Sequence, residues 1–160
     1  MAFVSWKEGY AVGAGTVDEQ HQQLFSLLNR LEGHVRGGSP KLDVDRVVSE
    51  LEGYTKFHFT AEERVLKGMG AAEMLEHKKQ HSYFVTEIAK TRHALLERKN
   101  VEPRDLVVFL RDWLVHHILD VDRRAFRSIA ATRTARQGRD AGPAPPHHPQ
   151  PGATTRSSKR

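Results

Sequence analysis

The sequence contains no cysteine and no long hydrophobic run. Without cysteine, the 160-residue chain cannot form a disulfide framework or a thiolate metal site, so any metal must be held by nitrogen and oxygen. No apolar run is long enough to cross a bilayer, and the N-terminal sequence lacks the basic segment and apolar stretch of a signal peptide. These absences predict a soluble cytoplasmic protein without a membrane partner.

The positive charge of the chain is concentrated at its C-terminal end. The formal net charge is +5, and the six bases and one acid beyond position 132 account for all of it. This segment is rich in proline, glycine, serine and threonine and cannot bury enough apolar surface to order itself, which predicts a disordered tail over residues 133–160. The tail could bind an acidic partner weakly, but a solvated extension is favoured, and no nucleic acid binding is expected.

Helical periodicity recurs in four segments, at about residues 18–36, 42–67, 72–98 and 103–132. Short breaks with glycine or proline separate them, and no stretch shows sustained strand-like alternation. The pattern predicts an all-α protein, an antiparallel up-down four-helix bundle over residues 1–132 that begins with an irregular N-terminal arm. A monomer is expected, because no long apolar seam remains once the apolar stripes face inward.

Histidine recurs on the apolar stripe of every predicted helix. A single buried histidine is usually a core residue bonded to a backbone carbonyl, but five on four helices favour a shared centre that pairs with a metal. The polar residues on the stripes are His21, His58, Glu62, His77, His81 and His117.

Two pairs within this set are spaced four residues apart. His58 and Glu62 lie one turn apart on one helix face, and so do His77 and His81. Each pair can therefore bind the same ion or adjacent ions. Glu63 lies about 100° away from the stripe and is predicted to be a surface residue.

The fourth helix offers two aspartates, and periodicity does not choose between them. Spacing pairs His116 with Asp120, whereas His117 belongs to the buried stripe. Asp122 follows His117 by five residues, about 140° around a regular helix, so reaching the same centre would need a local distortion such as a π-bulge. Geometry leaves both aspartates as candidates.

Four segments together resemble the hemerythrin family, in particular its bacterial single-domain members. The segments are VDEQHQQL, HFTAEE, HKKQH and WLVHHILDVD. The family pattern is one histidine on the first helix, then His-x3-Glu, His-x3-His and His-x4-Asp. The resemblance covers about residues 6–126 and selects Asp122 over Asp120. The pattern falls on His21, His58, Glu62, His77, His81, His117 and Asp122.

The resemblance implies reversible dioxygen binding at two non-haem iron ions joined by an oxo or hydroxo bridge. Glu62 and Asp122 would bridge both ions, and the ion held by His21 and His58 would keep an open position. The imidazole-rich set, in a chain without any Glu-x-x-His motif, favours oxygen binding over oxygen activation, so an enzyme is not expected.

Large apolar residues near the candidate ligands would wall the open position, although ordinary core packing accounts for them equally well. They are Leu24, Phe59, Trp113, Leu114 and Ile118. The predicted function is oxygen storage, delivery or sensing. The alternatives are a di-iron enzyme that reduces peroxide or nitric oxide, and a mainly structural metal site.

Overall fold

The protein is built almost entirely from helix. The computed structural model describes residues 2–97 and 102–140, without the side chains of Leu42 and residues 138–140. Among these residues there is no strand, which confirms the all-α prediction. The helices are α1 (Gly15–Arg36), α2 (Lys41–Val65), α3 (Ala71–Leu96), α4 (Pro103–His116) and α5 (Arg123–Asp140), and a π-helical segment (His117–Asp122) connects α4 to α5.

Short breaks arrange consecutive helices side by side in antiparallel order. Gly38, in the loop after α1, has φ +66°, a left-handed conformation that favours glycine. Pro103 opens α4 in its first turn, where its missing N–H removes no helical hydrogen bond. Asp45 near the start of α2 binds Arg92 near the end of α3 at 2.6 Å, as antiparallel neighbours require.

A layer of buried polar side chains divides the apolar interior into two clusters. Along α1, His21 lies between Val17 and Leu24, which belong to different clusters. The main apolar cluster includes Leu24, Leu28, Leu31, Val48, Leu51, Phe59, Phe84, Ile88, Leu110, Leu114 and Ile118. The terminal apolar cluster contains Val17, Leu66, Ala125, Phe126 and Ile129.

The N-terminal arm is fixed to α1 by an amide side chain. Asn29 accepts a hydrogen bond from the backbone N–H of Val4 at 2.9 Å and donates one to the Val4 carbonyl at 2.8 Å. Further along the arm, Trp6 packs against Phe25 and lies with its ring centroid 6.4 Å from that of His21. The irregular arm predicted from the sequence therefore lies along α1 from Asn29 toward His21.

Two details differ from the sequence prediction. The predicted tail begins at residue 133, yet helix α5 continues to Asp140, because its arginines, alanines and glutamine favour helix and no proline interrupts them. Residues 141–160, the rest of the predicted tail, lie outside the described residues. On α2, a spacing of three residues from Glu62 predicts that Val65 continues the buried stripe, yet Val65 is exposed and Leu66 just beyond the helix end is buried.

None of the helices within residues 2–97 and 102–140 combines the length and the hydropathy needed to span a bilayer.

Candidate metal centre

The seven side chains picked out by the family pattern come together in the buried polar layer. All seven are at most 3% exposed. They form two groups whose potential ligand atoms lie within 4.8 Å of one another, and Glu62 belongs to both. The three-histidine group is Glu62, His77, His81, His117 and Asp122, and the two-histidine group is His21, His58 and Glu62.

Glu62 reaches histidines of both groups with one carboxylate oxygen. Its Oε2 atom lies 3.3 Å from Nε2 of His81 and 3.5 Å from Nε2 of His77. The same oxygen lies 3.9 Å from Nε2 of His58, one turn earlier on α2. Glu62 is therefore placed between the two groups.

Asp122 also contacts histidines of both groups. Its Oδ1 atom lies 3.1 Å from Nε2 of His117 and 3.5 Å from Nε2 of His77. Its Oδ2 atom faces Nε2 of His21 at 3.4 Å. The second carboxylate of the layer thus spans the same gap as Glu62.

The π-helical segment explains how Asp122 reaches this position. A π-helix is wound more loosely than an α-helix, with i→i+5 hydrogen bonds, so residues five apart lie closer to the same side. His117 and Asp122 are such a pair, and this is the kind of distortion that the sequence required. Asp120 instead forms an exposed pair with His116, at 2.9 Å. The structure therefore places Asp122 in the buried centre and Asp120 outside it.

Several buried polar atoms of the centre have no hydrogen-bond partner. They are both ring nitrogens of His21, Oε1 of Glu62, and both carboxylate oxygens of Asp122. An unsatisfied buried polar group costs about 1–3 kcal/mol, and more when it is charged. Imidazole nitrogen and carboxylate oxygen are also ligands suited to iron, zinc and manganese. The orphaned atoms therefore fit bound metal ions, and the cluster is able to hold them.

Burial keeps two of the imidazoles in their neutral form. It lowers the pKa of His58 to about 4 and also lowers the pKa of His117. Burial acts in the same sense on His77, but the hydrogen bond to Glu62 and the negative charges of Glu62, Asp122 and Glu63 together outweigh it and raise the pKa of that histidine. Neutral imidazoles have the free nitrogen lone pair that a metal requires.

The two acids are held as carboxylates. Burial works against ionisation, yet the pKa of Glu62 is lowered, because the contacts with His77, His81 and His58 favour its charged form. The pKa of Asp122 is also lowered, since the interactions with His117 and His21 outweigh its burial. Anionic oxygen and neutral nitrogen are the protonation states in which these groups bind metals.

Three of the histidines are oriented by a polar side chain on the neighbouring helix. In each case the Nδ1 atom of the ring faces a side-chain oxygen, which leaves Nε2 directed at the centre. Each orienting residue is the sequence neighbour of a different candidate ligand. The pairs are Gln20 with His58 (2.9 Å), Glu63 with His81 (3.0 Å) and Gln80 with His117 (3.2 Å).

Sequence reasoning missed these orienting residues, and its prediction for Glu63 was wrong. Glu63 was expected at the surface, but its side chain is only 22% exposed and contacts Nδ1 of His81. The helical angle gives the direction in which a side chain starts, and a glutamate is long enough to bend back toward the next helix. A polar residue directly beside a candidate ligand was the available signal.

The apolar residues predicted around the open position pack close to the centre. Leu24, Leu114 and Ile118 are buried in the main apolar cluster. The ring of Phe59 stacks on His81 with centroids 3.6 Å apart, and Trp113 stacks on His117 at 4.3 Å. These two aromatic rings therefore support histidines of the three-histidine group. That the other three side chains wall an open metal position stays a prediction.

A helical bundle whose buried layer offers five imidazoles and two carboxylates, several of them unpaired, is a metal-binding protein. Residues 12–129 match the family described as "Hemerythrin HHE cation binding domain", which is most of the chain. The chain belongs to the hemerythrin family, as the four sequence segments predicted.

Curated relatives and solved structures agree with this assignment. The chain is 30% identical over 127 residues to the bacteriohemerythrin of Methylococcus capsulatus, covering 77% of this chain and 94% of that protein. It is 29% identical over 124 residues to the bacteriohemerythrin of Stenotrophomonas maltophilia, covering 77% and 79%. A crystal structure of wild-type hemerythrin aligns with a TM-score of 0.70 and 28% identity, covering 76% of this chain and 94% of that one.

Proposed function

We propose that this protein binds dioxygen reversibly at two non-haem iron ions held by the buried polar layer. The single observation that carries the proposal is that two carboxylates each lie between the same two groups of histidines. A pair of carboxylates in this position suits two ions better than one. The proposed ligands are His21, His58, Glu62, His77, His81, His117 and Asp122.

The unequal histidine count supports a site that takes up a small molecule. Three imidazoles face one side of the layer, whereas only His21 and His58 face the other. The ion on the side with fewer ligands would keep a free position, and the bound irons would supply the reversible redox change that holds dioxygen. Leu24 and Ile118, both buried, would keep water away from that position.

The ligand set favours binding over catalysis. Five neutral imidazoles and two carboxylates donate less negative charge than the glutamate-rich sets of ferritin-like di-iron proteins, whose Glu-x-x-His motif this chain lacks. Highly oxidised metal is therefore less well stabilised, which supports uptake and release of intact dioxygen. We accordingly propose a binding protein that serves storage, delivery or sensing, and not an enzyme.

The test is a visible absorption spectrum of iron-loaded protein that has been fully reduced without oxygen. We expect a new visible band on exposure to oxygen and its loss on degassing, over repeated cycles. His21→Ala should abolish the reversible band, and His93→Ala is the matched control, because His93 is exposed on the outside of α3. Irreversible conversion to the oxidised state in the first cycle would contradict the proposal.

Two other outcomes would redirect the assignment. Turnover of peroxide or nitric oxide with an electron donor, faster than autoxidation, would indicate a di-iron enzyme. Zinc in protein isolated from cells, together with complete unfolding of His21→Ala, would indicate a metal that mainly stabilises the fold.

A further inference from the structure

One of the three orienting contacts differs from the other two in charge. Gln20 and Gln80 present neutral amide oxygens to His58 and His117. Glu63 presents a carboxylate oxygen to Nδ1 of His81, at 3.0 Å. We propose that Glu63 is a positioning residue that makes His81 the strongest donor among these three histidines, and so raises the metal affinity and lowers the reduction potential of the three-histidine side.

The geometry supplies the direction of the effect. The Nδ1–H of His81 donates to Glu63, which fixes the tautomer in which Nε2 is free to face the centre. A hydrogen bond to a charged acceptor is roughly twice as strong as one to a neutral amide. It shifts electron density toward Nε2 and makes the imidazole a better donor to a metal, above all to a metal in its higher oxidation state.

His81 has a fixed position as well as a charged partner. The ring of Phe59 stacks on it almost parallel, with an interplanar angle of 2°. The Nε2 atom of His81 also lies 3.0 Å from that of His117 and 3.3 Å from Oε2 of Glu62. The ring is thus held on one face by Phe59 and at Nδ1 by Glu63, with Nε2 directed at the centre, so a change at Glu63 acts on a ring that Phe59 still keeps in place.

Lys78 moderates the charge of Glu63 from the solvent side. Its Nζ atom lies 3.3 Å from Oε2 of Glu63, on the oxygen that does not face His81. Half of the Lys78 side chain is exposed, so this ion pair is weak. Without Lys78, the negative charge of Glu63 would no longer be partly neutralised and would act more strongly on His81. The metal affinity and the reduction potential should therefore shift in the direction opposite to their shift on loss of Glu63.

This inference rests on the metal centre of the proposed function but not on its oxygen chemistry, so its experiment uses metal binding. Glu63→Gln keeps the shape and the hydrogen-bond acceptor of residue 63 while removing its charge. We expect the Co²⁺ affinity of the full chain, measured by titration of the visible Co²⁺ spectrum, to fall about tenfold. The midpoint potential of the iron-loaded variant should rise.

Glu87→Gln is the matched control for a lost surface charge. Glu87 is a half-buried acid of α3 that pairs with Lys90 at 2.9 Å. Neither the Co²⁺ affinity nor the midpoint potential should change in this variant, because the ion pair lies at the surface, where such pairs are weak. Lys78→Met should bind Co²⁺ at least as tightly as the wild type and should lower the midpoint potential.

The signs of these shifts decide the inference. The proposed role of Glu63 would be overturned if Glu63→Gln left both the Co²⁺ affinity and the midpoint potential unchanged. Weaker Co²⁺ binding in Lys78→Met would overturn it as well. Either result would show that the contact between Glu63 and His81 contributes packing alone. Failure of the wild type to bind Co²⁺ would overturn it together with the proposed function. Tight Co²⁺ binding without reversible oxygen uptake would contradict the proposal of oxygen binding but not the proposed role of Glu63.

Discussion

The Oδ1 atom of Asp122 lies 3.1 Å from Nε2 of His117, although Asp122 is the fifth residue after His117 in the sequence. The π-helical segment allows this close approach, whereas Asp120 remains outside the buried centre. Asp122→Asn should therefore weaken Co²⁺ or iron binding by at least about tenfold. Loss of a residue that only orients a metal ligand already costs about tenfold or more, and Asp122 is itself a proposed ligand. Isothermal titration of the metal-free protein measures the change.

Asp120→Asn is the control for this prediction. It removes the same charge two residues away, from a side chain that is 59% exposed and pairs with His116. Metal affinity should stay at the wild-type value. Equal losses in the two variants would show that the aspartate at the centre has been assigned wrongly.

Removing the metal should lower the thermal stability of the bundle. The centre leaves buried carboxylate and imidazole atoms without partners, so ions that bind only the folded state stabilise it by mass action. The contribution is about 4 kcal/mol when free metal exceeds its dissociation constant about a thousandfold. Calorimetry before and after chelation should show a lower Tm that returns when metal is restored. An unchanged Tm would argue against metal in the buried layer.

Acid should destabilise the metal-free protein before the carboxylates titrate. The pKa of His58 is lowered by burial to about 4, whereas the unfolded chain takes up this proton near pH 6.5. Between these values the unfolded state binds more protons, so stability is complete above about pH 6.5 and falls as the pH decreases toward 4. His58 alone should lower the free energy of unfolding by about 2 kcal/mol between pH 7 and pH 5. Urea unfolding after chelation measures it.

Two variants isolate the contribution of His58. His58→Leu should flatten the pH dependence in this interval, while His93→Ala, at an exposed position, should leave it unchanged. His117, whose pKa is also lowered, adds to the slope, and the raised pKa of His77 opposes it. A slope in His58→Leu as steep as in the wild type would contradict the prediction.

Asn29 should control how firmly the N-terminal arm is attached. Asn29→Ala removes both hydrogen bonds to the backbone of Val4, at about 1 kcal/mol each. We expect faster amide exchange or proteolysis at residues 2–10 and a small loss of global stability. Arg30→Ala is the control, because Arg30 is the next residue of α1 and pairs with Glu50 of α2 on an exposed surface.

Helical periodicity alone predicted much of this architecture. Apolar spacing predicts four helical segments, the last of which corresponds to α4, the π-helical segment and α5 together. It also predicts the burial of one face of each, which is what stabilises such helices. The polar residues on these buried faces are His21, His58, Glu62, His77, His81 and His117. The aspartate could not be chosen in this way, because an angle of 100° per residue assumes a regular helix, and the chain departs from it at His117. The resemblance to a family supplied that choice.

Contacts between helices were harder to predict than faces of helices. Gln20, Glu63 and Gln80 each touch a histidine on another helix, and a periodic pattern describes one helix at a time. Leu66 shows the same limit at a helix end, where the backbone leaves the helical path and turns an apolar side chain inward. Helix-forming residues after position 132 extended α5 beyond the composition-based boundary.

The three orienting pairs also link the helices in succession, from α1 to α2, from α2 to α3 and from α3 to the π-helical segment after α4. If α2 slid along its axis by one turn, about 5.4 Å, His58 would leave Gln20 and Glu63 would leave His81 at once. Packing between apolar faces would tolerate such a shift, because a leucine one turn along the helix could take the place of the leucine that moved. The three orienting contacts therefore fix the axial alignment of the helices, because no equivalent polar partner replaces a lost one. A displacement of α2 would break its contacts with both α1 and α3.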